Sequence, residues 1–339
     1  MTVTAASLIK TATGFYEAQA LFAAVELGVF ARVSSGPVPL STLQDDLGLH
    51  ANVAADFLDA LVAMRLLTRT DAGYAATPAA RAYLTPGAPE YIGGFLTLNQ
   101  RRLYPAWGDL TSFLKNAENL AHGAKVDDPM PALYATPQRT RSFAEGMDGY
   151  ATLLGRPLSE KFDWASVKSF ADLGGCRGML TTRVAAAHPH LQGVTFDLAP
   201  LNPLFDELVA SVTGTTDLAS RVRFQAGSFF TDPLPETEVY IIGHVLHDWV
   251  ESKRREIIQR AYDHLPAGGT LLIYDSMIDD QREESAFGLL MSLNMALLSG
   301  ASEYTMAQGQ GWLREAGFQV ESPVALNELT TLLIGRKPL

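Results

Sequence analysis

The chain has 339 residues, room for two domains of ordinary size, and 47% of them are apolar against 19% charged, which excludes extended disorder, a disulfide-stapled miniprotein and a collagen-like chain. Its 26 Lys and Arg against 37 Asp and Glu leave a net charge of −11, a balance that opposes nucleic acid or an acidic membrane surface and favours a small-molecule partner. One cysteine, Cys176, permits no intrachain disulfide, and the opening MTVTAASLIK lacks the apolar stretch of a signal peptide; a cytoplasmic protein without a membrane span is expected.

Residues 7–31 are rich in Ala, Leu, Val and Phe with few polar positions, so they predict a helix more apolar than one facing water, which needs cover on several sides. After the turn Ser34-Ser35-Gly36-Pro37, residues 40–47 and 54–67 carry apolar side chains at helical spacing, and LLTRTDAGYAAT falls into two extended pieces around Asp71-Ala72-Gly73. Helix, helix, helix, hairpin is a winged-helix order. Over residues 1–90, however, five basic residues face eight acidic ones, which does not suit phosphate binding, and subunit packing is the expected use. Residues 91–165 read as wholly helical, with aromatics such as Tyr104, Trp107 and Tyr150 that could line a pocket or pack a core.

At Val167 the pattern changes. SFADLGG, GVTFDL, RVRFQAG, EVYIIGHVL and TLLIYDS are short β-rich runs separated by stretches that can form helices, the βαβ rhythm of a doubly wound parallel sheet. The clearest crossover helix is 252–265, whose stripe Ile257, Ile258, Ala261, Tyr262 and Leu265 stops at Pro266-Ala267-Gly268-Gly269. FQVESPVAL and LTTLLIGRKP predict an antiparallel hairpin at the sheet edge.

Chemistry is expected at two strand ends. The first strand runs into Asp172-Leu173-Gly174-Gly175-Cys176-Arg177-Gly178, where glycines let the backbone approach a ligand closely. Cys176 breaks the dinucleotide spacing G-x-G-x-x-G, which demotes NAD. Asp197 ends the second strand 22 residues after Gly175, where a carboxylate either accepts the ribose hydroxyls of a nucleoside or caps a helix. The fourth strand ends in His244-Val245-Leu246-His247-Asp248-Trp249. A histidine there faces the crevice and suits a general base, or it is structural. The HxxH spacing on a strand would put the rings on opposite faces, and no histidine follows His264, so no metal is expected.

Taken in order, DLGGCRG, FDL, GSFFTDPLPETEVYIIGHVLHDW, LPAGGTLLIYDS, LNMALLSGASEYT and GWLREAGF resemble the S-adenosylmethionine-dependent small-molecule O-methyltransferases, the caffeate-type plant enzymes and their relatives in bacterial secondary metabolism. The resemblance spans essentially the whole chain. It implies a winged-helix dimerisation domain over 1–95, a helical linker over 96–165 that contributes to the acceptor pocket, and a Rossmann-like cofactor domain over 166–339. It implies His247 as general base, oriented by Asp275 and Glu303. For the cofactor it implies Asp172, Gly174, Gly175 and Gly178 of the glycine turn, Asp197 and Leu198 at the ribose, and Ser228, Phe229, Phe230, His244 and Trp249 around the rest. Met147, Tyr150, Met291, Asn294, Met295 and Leu298 are the implied acceptor lining.

The implied reaction is methyl transfer to a hydroxyl, a phenol above all, of a small aromatic molecule by a homodimer with no metal. Removing the phenol proton, whose pKa is near 10, beside the methyl donor would make a poor nucleophile a good one. Turnover is then expected to rise through an ordinary histidine pKa. Cys176, Ser228, His244 and Tyr304 depart from the family pattern. The same fold hosts C-methylation of keto acids, hydroxylation, decarboxylation and pericyclic steps; the retained His247, Asp275 and Glu303 favour plain methyl transfer.

Overall fold

Strand and helix boundaries follow the places where the backbone must leave the regular regions. The computed structural model describes residues 3–116, 130–212 and 217–339; residues 117–129, part of the stretch expected to be helical, lie outside these. Contacts divide the chain into two compact units, Met1–Arg102 and Leu103–Leu339.

In the first unit the single helix expected over 7–31 is three: Ala5–Ala12, Gly14–Glu26 and Val29–Arg32. Thr13 leaves the helical region, and Gly28 takes φ +73°, a left-handed residue that ends a helix and suits glycine. Helices Leu40–Leu47 and Ala51–Ala63 follow, then the antiparallel hairpin of β1 (Leu67–Thr70) and β2 (Gly73–Ala76). Ala51–Ala63 stops short of the expected 67 because Arg65 turns to φ +60°. The order is that of a winged helix. Phe22, Phe30, Leu43, Leu58, Leu61 and Tyr74 form its core, while Leu8 and Ile9 of Ala5–Ala12 stay 59% and 65% exposed.

The second unit holds a sheet of β3 (Ser169–Leu173), β4 (Gln192–Asp197), β5 (Val222–Ala226), β6 (Val239–Gly243), β7 (Thr270–Asp275), β8 (Gln319–Val320), β9 (Val324–Ala325) and β10 (Thr331–Arg336). The order is β5-β4-β3-β6-β7-β10-β8, with β9 also on β10. β3 to β7 run parallel. The C-terminal segment forms the expected antiparallel hairpin at the sheet edge, with β8 and β9 outermost; β10 lies inside, antiparallel to β7, so the sheet is mixed. Leu332, Leu333 and Ile334 explain this, since three consecutive buried side chains need cover on both faces. Strand order reverses between β3 and β6, the place where an open α/β sheet opens a crevice at its carboxyl ends. The expected crossover helix is Glu251–His264, with Ile257, Ile258 and Ala261 buried. Pro137 and the Thr136 hydroxyl start the long helix Pro137–Lys161.

Candidate active site

At the crevice the β3 loop is held by backbone. Gly174 takes φ +82° and donates its N–H to the Phe196 carbonyl at 2.8 Å; a Cβ there would sit 2.6 Å from Val245 Cγ2. Gly178, at φ +87°, starts helix Met179–Ala187. Between them Cys176 adopts φ +53°, a left-handed conformation that strains any side chain with a Cβ. Its N–H donates to Asp197 Oδ2 at 2.8 Å, while Asp197 Oδ1 accepts from Leu198 N at 2.7 Å. Asp197 therefore fastens the glycine turn to the end of β4 and still has lone pairs for ribose hydroxyls.

The main cavity, about 700 Å³ with its mouth included, is lined by Gly174, Asp197, Leu198, Ser228, Phe229, Phe230, His244 and Trp249, together with Met147. A smaller compartment of about 380 Å³ adjoins it, lined by Asp172, Gly174, Gly175, Tyr150 and His244. Gly178 is outside both linings and acts through its turn. Ser228 Oγ accepts from Phe230 N at 3.2 Å, which leaves its proton to donate elsewhere, and Ser228 N donates to Asp232 at 2.8 Å. Burial pushes the Asp197 carboxyl up to about 7, and burial with Asp197 nearby pushes Asp172 up to about 8. Close backbone approach, a carboxylate at the end of β4 and an aromatic wall fit the nucleoside portion of S-adenosylmethionine.

Next to this crevice is a cluster built from side chains. β6 ends at Gly243, His244 turns back at φ +51°, and His247 sits in the single 3₁₀ turn Leu246–Asp248. The strand rule thus fails: the two rings lie 5.4 Å apart on the same side. His247 Nδ1 is 2.6 Å from Glu303 Oε1 and 3.3 Å from Asp275 Oδ1. His244 Nδ1 is 3.8 Å from that same Asp275 oxygen. All four residues are buried. The three atoms on His244, His247 and Asp275 converge, but His247 Nδ1 is already engaged by Glu303, so the cluster is arranged around a proton on Nδ1. A carboxylate can only accept, so Nδ1 carries the hydrogen and Nε2 is left as the basic nitrogen. Burial alone would depress His247, but the Glu303 and Asp275 carboxylates outweigh it and hold the imidazole at about 10. Burial and the charge of His247 drive His244 well below the histidine range, so it is neutral.

Of the expected acceptor residues, Met147 and Tyr150 line the cavities. Met291, Asn294, Met295 and Leu298 do not; they lie on helix Ala286–Ser299, which packs on the His247 turn. Asn294 Oδ1 accepts from Trp107 Nε1 at 3.0 Å, and Ser292 Oγ accepts from Glu303 N at 3.2 Å. That helix therefore supports Glu303. Sequence reasoning missed Arg254, which donates from Nε to the Leu246 and Trp249 carbonyls at 2.9 and 2.7 Å and from Nη2 to the Ser302 carbonyl. The signal was available: Arg254 occupies the core stripe of its helix with Ile257, Ile258 and Ala261, a position an arginine takes only when it is paired. No helix among the described residues is long and apolar enough to cross a membrane.

Two family descriptions match the chain, an O-methyltransferase domain over residues 107–319 and an O-methyltransferase dimerisation domain over 9–86. The tetracenomycin polyketide synthesis 8-O-methyl transferase TcmO of Streptomyces glaucescens is 41% identical over 98% of this chain and 96% of its own. The N,N-dimethyltransferase OxyT of Streptomyces rimosus is 38% identical over 98% and 97%. Among solved structures, human N-acetylserotonin methyltransferase in complex with S-adenosylmethionine superposes with a TM-score of 0.89 at 27% identity, covering 100% of this chain and 99% of that one. The chain belongs to the S-adenosylmethionine-dependent O-methyltransferase family and is an enzyme of that kind.

Proposed function

We propose that this enzyme methylates a phenolic hydroxyl of a polycyclic aromatic small molecule, with His247 as the base. The observation that carries this reading is the placement of His247 Nδ1 against Glu303 at 2.6 Å and Asp275 at 3.3 Å, which leaves Nε2 as the proton acceptor. When bound, S-adenosylmethionine supplies an electrophilic methyl on a positively charged sulfur. Gly174, Gly175, Asp197, Leu198, Phe229 and Trp249 would hold it, Asp197 at the ribose. His247, held at about 10, is matched to a phenol of pKa near 10, so the proton is shared between them at little cost. Asp275 and Glu303 fix the ring and balance the imidazolium that forms.

The aromatic, Met-containing wall suits a flat acceptor, and the name of TcmO points to a polyketide-derived phenol. The acceptor would sit beside Met147 and Tyr150, with Met291, Asn294, Met295 and Leu298 on the helix behind. The exposed Leu8, Ile9, Phe15 and Tyr16 support a homodimer formed through the N-terminal unit. A single thiol agrees with a cytoplasmic setting. Labelled S-adenosylmethionine offered with polycyclic phenols, aromatic amines and keto acids tests the reading. It expects the label on oxygen; label on nitrogen, as the name of OxyT would suggest, or on carbon contradicts it.

A further inference from the structure

Tyr304 stands where the resemblance sets an arginine after the glutamate, and Arg254 is a buried arginine that no part of the reaction yet uses. The Tyr304 hydroxyl donates to Asp275 Oδ2 at 2.6 Å, and both side chains are fully buried. The Arg254 guanidinium lies 5.2 Å over the Tyr304 ring and 5.5 Å over that of Trp312. Its donors grip the Leu246 and Trp249 carbonyls on either side of His247 and the Ser302 carbonyl just before Glu303. One side chain thus joins the loop carrying the base to the loop carrying its carboxylate. Asp275 Oδ1 and Glu303 Oε2 have no hydrogen-bond partner among the described residues. Burial and the Glu303 charge push the Asp275 carboxyl up to about 7, while the His247 charge, the Tyr304 hydroxyl and Arg254 favour its ionised form.

We infer that Arg254 and Tyr304 form a positioning pair for the base, Arg254 locking the His247 and Glu303 loops together and Tyr304 keeping Asp275 ionised against His247. The inference rests on the reading of His247 as the base. A cation over the phenol ring draws electron density from it, which makes the Tyr304 hydroxyl a stronger donor to the carboxylate. The other groups facing the cluster leave this work to the pair. His244 is neutral, Tyr150 and Tyr274 are buried phenols held protonated, and Asp248 adds negative charge beside His247. The pair is also self-contained, because Tyr304 reaches Asp275 and Arg254 while touching neither compartment of the crevice.

The sign of the effect follows. Without the Tyr304 hydroxyl, Asp275 protonates more easily and supports the imidazolium less, so His247 becomes neutral at lower pH. Tyr304→Phe should bind S-adenosylhomocysteine as the wild type does. Its kcat–pH inflection should move down by roughly 0.5 to 1 unit and its plateau kcat should fall by roughly threefold to tenfold, with KM for the acceptor unchanged. A folded Tyr304→Phe enzyme with the wild-type profile and plateau overturns the proposal. Should that variant not fold, Arg254→Lys decides. It keeps the charge but cannot reach three carbonyls, so kcat should fall at constant KM, and an unchanged kcat overturns the proposal equally. His247→Ala measured alongside separates the two readings. If it keeps turnover, the base assignment fails; if it is inactive while Tyr304→Phe behaves as wild type, only the positioning pair fails.

Discussion

The crevice and the His247 cluster are a few residues apart and are built by opposite means. In the crevice the chain's backbone does the holding: left-handed Gly174, Cys176 and Gly178, and amides of Cys176 and Leu198 given to Asp197. In the cluster Asp275 at the end of β7 and Glu303 of the Ser302 loop meet at the His247 imidazole, and Arg254 of helix Glu251–His264 ties the two loops together. A backbone cradle is set by φ at a few positions and carries Cys176 only at the cost of left-handed strain, whereas a buried ionic cluster depends on every member. Substitutions in the cluster should therefore alter turnover, and substitutions in the crevice should alter cofactor affinity.

His247→Ala is the largest expected effect. Turnover should fall by roughly 10²- to 10⁴-fold, the range of general-base catalysis, while calorimetric affinity for S-adenosylhomocysteine stays within about twofold. A parallel loss of affinity would erase the division between the two regions. Asp197→Ala should do the reverse. It removes a carboxylate that takes two backbone amides, so S-adenosylhomocysteine affinity should drop by roughly 10- to 100-fold, and unaltered affinity would take Asp197 out of the cofactor site.

Within the cluster, distance ranks the carboxylates. Glu303→Gln, at 2.6 Å from Nδ1, should lower kcat more than Asp275→Asn, at 3.3 Å. The double variant should lose less than the product of the two, because both act through one ring. Fully multiplicative losses would mean that they act independently. The smallest effect belongs to Cys176→Gly. Glycine accepts φ +53° without strain but gives the unfolded chain more freedom, so stability should rise by about 1 kcal/mol or less. A lower melting temperature would show that the thiol's packing against the cluster of Ala144, Leu201 and Leu204 outweighs the strain.

The difference between the regions also explains what was legible in the sequence. Glycine spacing, the acid at the end of β4 and the β-rich runs are local signals, and each found its place in the fold. The cluster is assembled across long separations, 56 residues from His247 to Glu303, and only the resemblance united its members. Local rules misled where the chain departs from regular geometry. The strand ends at Gly243, one residue before His244, so alternation along a strand does not apply to the HxxH pair. The C-terminal hairpin is legible from its two β-rich runs, whereas sequence order conceals that β10, and not β8, is the strand that joins β7. Arg254 and Tyr304 were legible only as anomalies, one a charge in a core stripe and the other a departure from a pattern.

The pH dependence of kcat tests most directly whether two buried carboxylates raise His247, the residue we propose as the base. Their effect holds the His247 imidazolium up to about 10, well above the ordinary histidine value near 6.5 that sequence alone suggested. Only the neutral ring can take the acceptor proton, so that form must grow as pH rises. With saturating acceptor and cofactor, kcat should climb about tenfold per pH unit through the neutral range and level off only near the raised value. An inflection near 6.5 with a flat profile above it would contradict the account, since it would mean that Glu303 and Asp275 do not support the charge of His247.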